Sequence, residues 1–186
     1  MVAPRLRVLF CGINPSLYTA WSGHHFGRPG NRFWPTLHRS GFTPRQLAPY
    51  EQNDLLTLGL GITNIAPRAT VAAAELSRAE LVAGARRLRD LTSAYEPAYV
   101  AVLGVTAHRT AFEQPKAVFG PQETRIGPAA VWVLPNPSGL NAHFTPARLA
   151  DVFAELRAAV PPQPTGPILS LTAPTEAHAV DHVAGA

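Results

Sequence analysis

An α/β fold in a single domain, with a central, mostly parallel sheet flanked by helices, follows from three observations. Apolar runs of strand length alternate with segments whose apolar residues repeat at helical spacing. Two of these runs, 6–11 and 131–134, close in polar asparagine-proline loops, Gly12-Ile13-Asn14-Pro15-Ser16 and Asn136-Pro137-Ser138-Gly139-Leu140-Asn141. At 186 residues the chain has the length of one domain with an ordinary core.

Taken in order, residues 6–11 form the first strand, and a loop rich in Gly, His and Pro runs from Ser16 to Gly30. Asn31 can cap a short helix that reaches Arg39, and further short helices fit 44–58. Gly61-Ile62-Thr63-Asn64-Ile65 is the second strand. Ser77-Arg78-Ala79-Glu80 is a capping box, in which Ser and Glu satisfy each other's orphan amides. Behind it Leu81, Ala85, Leu88 and Tyr95 repeat at helical spacing until Pro97 stops the run. Residues 98–103 are the third strand, Val105 to Glu113 a helix, and 130–135 the fourth strand. Thr145-Pro146 opens a last helix with Leu149, Val152, Phe153, Leu156 and Val160 on its apolar face. The folded domain is therefore placed at 1–160. From 161 to 186 Pro, Thr, Ala and Gly dominate without an apolar face, the composition of a mobile tail.

Composition excludes several classes. The chain is 46% apolar and 15% charged, unlike a disordered protein. No run approaches the roughly 18 apolar residues of a membrane helix, and Arg5 and Arg7 lead into a strand rather than a signal peptide. A cytoplasmic location is expected, nucleoid-associated if the source is bacterial. The single cysteine, Cys11, precludes an internal disulfide or a multi-cysteine cluster and reads as a buried thiol. The net charge is +4, with fifteen Arg against one Lys. That excess permits phosphate contacts but also fits a plain Arg and Ala bias. His24 and His25 lack carboxylate support, and His178 and His182 lack a third ligand, so no metal and no cofactor are expected.

In an open α/β sheet, ligands bind beyond the carboxyl ends of the strands, so two stiff polar loops at that edge suggest a two-walled pocket. Three segments, Gly12-Ile13-Asn14-Pro15, Asn31-Arg32-Phe33-Trp34 and Asn136-Pro137-Ser138-Gly139-Leu140, carry a specific likeness. In order and spacing they resemble the mismatch-specific uracil/thymine-DNA glycosylases, a branch of the uracil-DNA glycosylase superfamily. The likeness runs from about Leu6 to Val160. It implies a four-stranded parallel sheet between helices and hydrolysis of the N-glycosidic bond of a damaged or mismatched base.

Such an enzyme must extrude the nucleotide from the duplex into its pocket. Phe26, in a polar, glycine-rich stretch, is the candidate stacking face, with core packing as the alternative. Phe33 and Trp34 fall on a helix and read as core. Asn14 is the candidate catalytic residue: an amide is no general base, but it can accept a hydrogen bond from water and aim its oxygen at C1′. That suffices when bond breaking runs ahead of attack, through an oxocarbenium-like state. The alternative for Asn14 is an Asx-turn that closes the strand. Related glycosylases often carry an acid in this region. None lies between Asn14 and Trp34, so slow turnover is expected, with the leaving base stabilised by amides around Ile13 and Phe26 and by Asn136.

Asn64, at a strand end, faces the same pocket by the resemblance, or else forms a turn. Leu140, flanked by Gly139 and Asn141, is a candidate wedge for the vacated stack. Ser138, Asn141 and His143 are candidate contacts to phosphate or to the widowed guanine, against ordinary turn and loop roles. Ser16 stands where relatives usually carry Gly and is the candidate specificity residue, or a simple loop cap. The expected partner is double-stranded DNA with a G·U or related mismatch, bound by a monomer. Two rivals remain at this stage, a hydrolase of free nucleosides or nucleotides and a non-catalytic mismatch-binding protein.

Overall fold

The computed structural model describes residues 1–162. Its strands are β1 (Val8–Gly12), β2 (Leu60–Asn64), β3 (Tyr99–Leu103), β4 (Gly120–Ile126) and β5 (Ala129–Leu134). Its α-helices are α1 (Leu17–Ser22), α2 (Phe33–Arg39), α3 (Asp54–Thr57), α4 (Arg78–Tyr95), α5 (Val105–Ala111) and α6 (Pro146–Ala159). The sheet runs in the order β2-β1-β3-β5-β4. The four strands read from the sequence are all present and parallel to one another, with Phe10 in register with Ile62 on one side and Ala101 on the other.

The fifth strand, β4, is a correction to the four-stranded expectation. It is antiparallel to β5 and lies at the sheet edge, with a register irregularity between Gln122 and Arg125. Its sequence, Gly-Pro-Gln-Glu-Thr-Arg-Ile, has no apolar alternation because only its two end residues are buried. Pro121 and the charged side chains suit an edge that must not recruit another strand.

β1 is buried on both faces, and successive side chains alternate between them. Val8 and Phe10 enter one core with Phe33, Trp34 and Leu37 of α2 and Leu149, Phe153 and Leu156 of α6. Phe10 is ringed by Phe33 and Phe42 edge-on, centroids 5.5 and 5.3 Å away, and stacks on Phe153 at 6.2 Å. Leu9 and Cys11 enter the other core with Leu81, Ala85 and Leu88 of α4 and Ala107 and Ala111 of α5. The Cys11 thiol is wholly buried, which pushes its pKa upward.

Ser77 and Glu80 form the expected capping box, and Thr145 accepts from the Arg148 amide to cap α6. Tyr95 is another correction. It is partly exposed, and Thr92 takes the buried position at the end of the α4 face. Gly84 lets α4 approach β2 closely, because a Cβ there would run into the Ile65 carbonyl oxygen. The helix α1 was not expected within the 16–30 loop. It buries none of its residues, so no apolar period marks it. Among the described residues no helix is long and apolar enough to cross a membrane.

Candidate active site

All four parallel strands end at one edge, and the crevice there opens beside β1, where the chain order turns from β2 to β3. The loops that follow β1, β2 and β5 enclose a cavity of about 140 Å³. That is small beside the roughly 300–1,000 Å³ of drug-sized ligand sites and suits one planar base. Gly12, Ile13, Asn14, Ser16, Phe26, Asn64, Asn136 and Ser138 all line it. Two loops far apart in sequence thus do form facing walls.

The first wall is laced to the β2 loop. Gly12, Ile13 and Pro15 carbonyls accept from the amides of Ile65, Ala66 and Thr70 at 2.9, 2.8 and 3.2 Å. Thr70 Oγ1 donates to the Ala72 carbonyl at 2.8 Å, so it meets Asn14 as an acceptor. Asn14 Nδ2 donates to Thr70 Oγ1 at 2.7 Å and to the Arg68 carbonyl at 2.9 Å. Both amide protons are engaged, which fixes the orientation of the side chain and leaves Oδ1 as its acceptor. The Arg68 segment is itself tied down, since its guanidinium pairs with Glu80 of the capping box at 2.6 Å. Arg68, then the Ser77 amide and hydroxyl, hold the Glu80 carboxyl down at about 2.

Phe26 sits at φ 53°, a left-handed backbone rarely adopted by a bulky residue. That turn lays its ring on Phe33, centroids 4.2 Å apart and planes 27° from parallel. Phe33 is fully buried, so Phe26 is the outer leaf of an aromatic stack rooted in the core. The absent side chain of Gly12 makes room for both neighbours. A Cβ there would stand 2.5 Å from Asn64 Oδ1 and 3.1 Å from Phe26 Cζ.

The second wall is a set of local turns. Asn136 Oδ1 accepts from the Ser138 amide at 3.0 Å, an Asx-turn that leaves Nδ2 as its donor. Ser138 Oγ accepts from the Leu140 amide, Asn141 Nδ2 donates to the Asn136 carbonyl, and Asn141 Oδ1 accepts from the His143 amide. Arg32 clamps the loop from outside. Its guanidinium donates to the carbonyls of Phe144 and Ser138, both at 2.6 Å, and Asn141 at 2.9 Å, and its amide donates to the Pro137 carbonyl. Gly139 lies so close to Gly30 that a Cβ would run into that carbonyl oxygen. Leu140 is left at the tip, 80% exposed.

Residues 1–157 match the uracil DNA glycosylase superfamily. The chain belongs to that superfamily. DNA is therefore the partner of this glycosylase, and hydrolysis that frees uracil is its reaction class.

In this uracil-DNA glycosylase the structure does not gather every residue that the sequence singled out. Gly139 and Leu140 line a separate shallow depression with Arg28, Pro29 and Gly30, while Ser138 borders both spaces. Asn141 is engaged within the loop, and exposed His143 lies beyond the cavity lining. Ser16 is the N-cap of α1, accepting from the Thr19 amide at 3.1 Å, and it also lines the cavity. Thr70 and Arg68 were missed because a contact between sequence positions 54 and 56 apart leaves no local signal. Arg32 stood inside a recognised segment, yet its clamp is visible only in three dimensions.

Among the described residues no Asp or Glu lines the cavity. His25 lines the cavity, its pKa lowered to about 4 by burial and, secondarily, by the nearby Met1 ammonium. Its backbone is fixed by Gln52 Oε1 on the amide and Trp34 Nε1 on the carbonyl. Among the described residues no group of three or more His, Cys, Asp or Glu could hold a metal. His178 and His182 lie outside the described residues, as does nearly all of the 161–186 segment.

Proposed function

We propose that this glycosylase is a monofunctional, G·U-selective enzyme that acts on double-stranded DNA as a monomer. Uracil flipped from the duplex enters the cavity and stacks on Phe26, with Asn64 and the Asn136 Nδ2 donor at its polar edge. The C1′–N1 bond breaks first, both electrons leaving with the base, which the neutral donors of Ile13, Phe26 and Asn136 stabilise. Water held on Asn14 Oδ1 then adds to C1′ of the sugar cation and its proton passes to the departed uracil anion, giving an abasic site and neutral uracil. Among the described residues no lysine lines the cavity, and the sole lysine, Lys116, lies elsewhere, so no lysine is placed to form a Schiff base with the sugar.

The observation that carries this reading is the Asn14 amide, both protons engaged and its oxygen without a partner among the described residues, on the wall of a base-sized cavity. Leu140 suits a wedge because its loop is clamped from inside and outside while its side chain stays in solvent. The test is base release from duplexes with one G·U or one A·U pair, read by alkali cleavage, and from free uridine, read by chromatography of the freed uracil. Faster release from G·U supports the proposal. Equal rates on both duplexes would remove the mismatch selectivity, uridine hydrolysis alone would make it a free-nucleoside enzyme, and binding without release would make it a sensor.

A further inference from the structure

The cavity has a neighbour on the surface that the reaction above does not use. Directly after the Asn14-Pro15 wall, α1 exposes Leu17, Tyr18 and Trp21, and Val71 lies exposed next to Thr70, which bridges to Ser16. Trp21 is 81% exposed and meets Tyr18 edge-on, centroids 5.6 Å apart. The helix is nonetheless well made, with Ser16 capping one end and Gly23 at φ 73° closing the other. A capped helix that buries nothing contributes no core, so its aromatic face is free to meet a ligand.

The surroundings indicate which ligand. Tyr18 lies against the loop that carries Phe26, since a methyl on Gly27 would stand 3.4 Å from Tyr18 Cε1. The next residue, Arg28, is exposed and borders the cavity, and its guanidinium makes no hydrogen bond or ion pair among the described residues. An aromatic pair and a free guanidinium thus continue the mouth of a DNA site. A base inside a duplex has both faces covered by its neighbours. A flat, protruding indole gains a full stacking contact only from a base whose face is already free, as in a single strand.

We propose that Tyr18 and Trp21 form a stacking platform for an unpaired base beside the flipped nucleotide, with Arg28 on the adjoining phosphate. The platform adds a stacking contact for an unpaired strand that runs past the pocket. This rests on the DNA glycosylase reading of the cavity.

Trp34 and Trp132 are 3% and 8% exposed, so a change in tryptophan emission on adding DNA reports Trp21. A uracil-free thymidine oligomer of roughly ten nucleotides, a common single-strand site size, should quench that emission. Trp21→Phe should abolish the quench while keeping most of the affinity, and Trp21→Ala should weaken binding roughly five- to hundredfold, the loss of one stacked base. Uracil release by Trp21→Ala should fall further on single strands than on a G·U duplex. Absence of quenching, or equal losses on both substrates, overturns the platform. So does dimerisation in sedimentation that buries Trp21 without DNA. Should the wild-type protein release no uracil from any DNA, the glycosylase reading fails, yet the oligomer titration still decides whether Trp21 binds a base.

Discussion

At the level of single residues, the proposed chemistry turns on neutral hydrogen-bonding groups held in fixed orientations. Asn14 can offer water only one end of its amide, because Arg68 and Thr70 take the other. Asn14→Ala removes the acceptor and should cut single-turnover base release by about two orders of magnitude, the usual scale for one lost catalytic contact. Duplex affinity should stay near wild type. Thr70→Val keeps the shape but loses the acceptor for Nδ2, so the amide can rotate. Release should fall about tenfold or more, with kcat reduced and KM unchanged, as expected of a residue acting through Asn14. A KM effect alone would assign Thr70 to substrate binding. Ser16 has two duties, capping α1 and bordering the cavity. The proposed role of its Cβ and hydroxyl is to narrow the space for a thymine methyl, a discrimination of only about 1–3 kcal/mol. The expected preference is uracil over thymine opposite guanine, and Ser16→Gly should narrow that gap at a capping cost of a few tenths of a kcal/mol. An unchanged ratio of G·U to G·T rates would leave Ser16 with the cap alone.

At the level of elements, local sequence revealed whatever had a period or a cap, and missed what only a partner defines. The apolar runs of β1, β2, β3 and β5 and the Ser77 and Thr145 caps fell within a residue or two of their observed places. β4 and α1 did not show, the one because its edge position leaves it polar, the other because it buries nothing. The Asn136–Asn141 loop was legible as a loop, yet what makes it rigid is Arg32, more than a hundred residues away. Its bidentate fork spans three carbonyls, a geometry a lysine cannot reproduce. Arg32→Lys should therefore act on this loop as a unit. Release from a G·U duplex should fall severalfold, with a smaller loss on single-stranded uracil, where there is little stack for Leu140 to replace. Leu140→Ala should show the same asymmetry, and the double variant should add little to either. Equal losses on both substrates would mean that Arg32 and Leu140 support the fold and not the wedge. Additive losses would mean that the two act independently.

Across the whole molecule, the site edge and the two cores respond to pH for different reasons. Among the described residues no carboxylate lines the cavity, and Asn14 does not titrate. His25 at the site and His108 in α5 both have pKa values lowered by burial, His108 against an opposing pull from its bond to Gln114. A histidine whose folded pKa is depressed binds fewer protons in the native state than in the unfolded chain. Stability is then full above the unfolded value near 6.5 and declines as pH falls toward the folded value, about 4 for His25. The lowered carboxyls of Glu51 and Glu80 work in the same direction but only below about 4.5, where unfolded Glu begins to take up protons. Between about pH 6.5 and 5 the histidines therefore contribute to the loss, alongside the Met1 ammonium, whose pKa burial also lowers. Urea midpoints should drop across that interval, and His108→Leu should flatten part of the drop. Single-turnover base release by the folded enzyme should stay level over the same range, because neither the Asn14 amide nor the neutral His25 changes charge there. A rate that fell in step with an ionisation near 6 would point instead to a titrating group at the reacting base, and Asn14 could not then be the sole water-positioning residue.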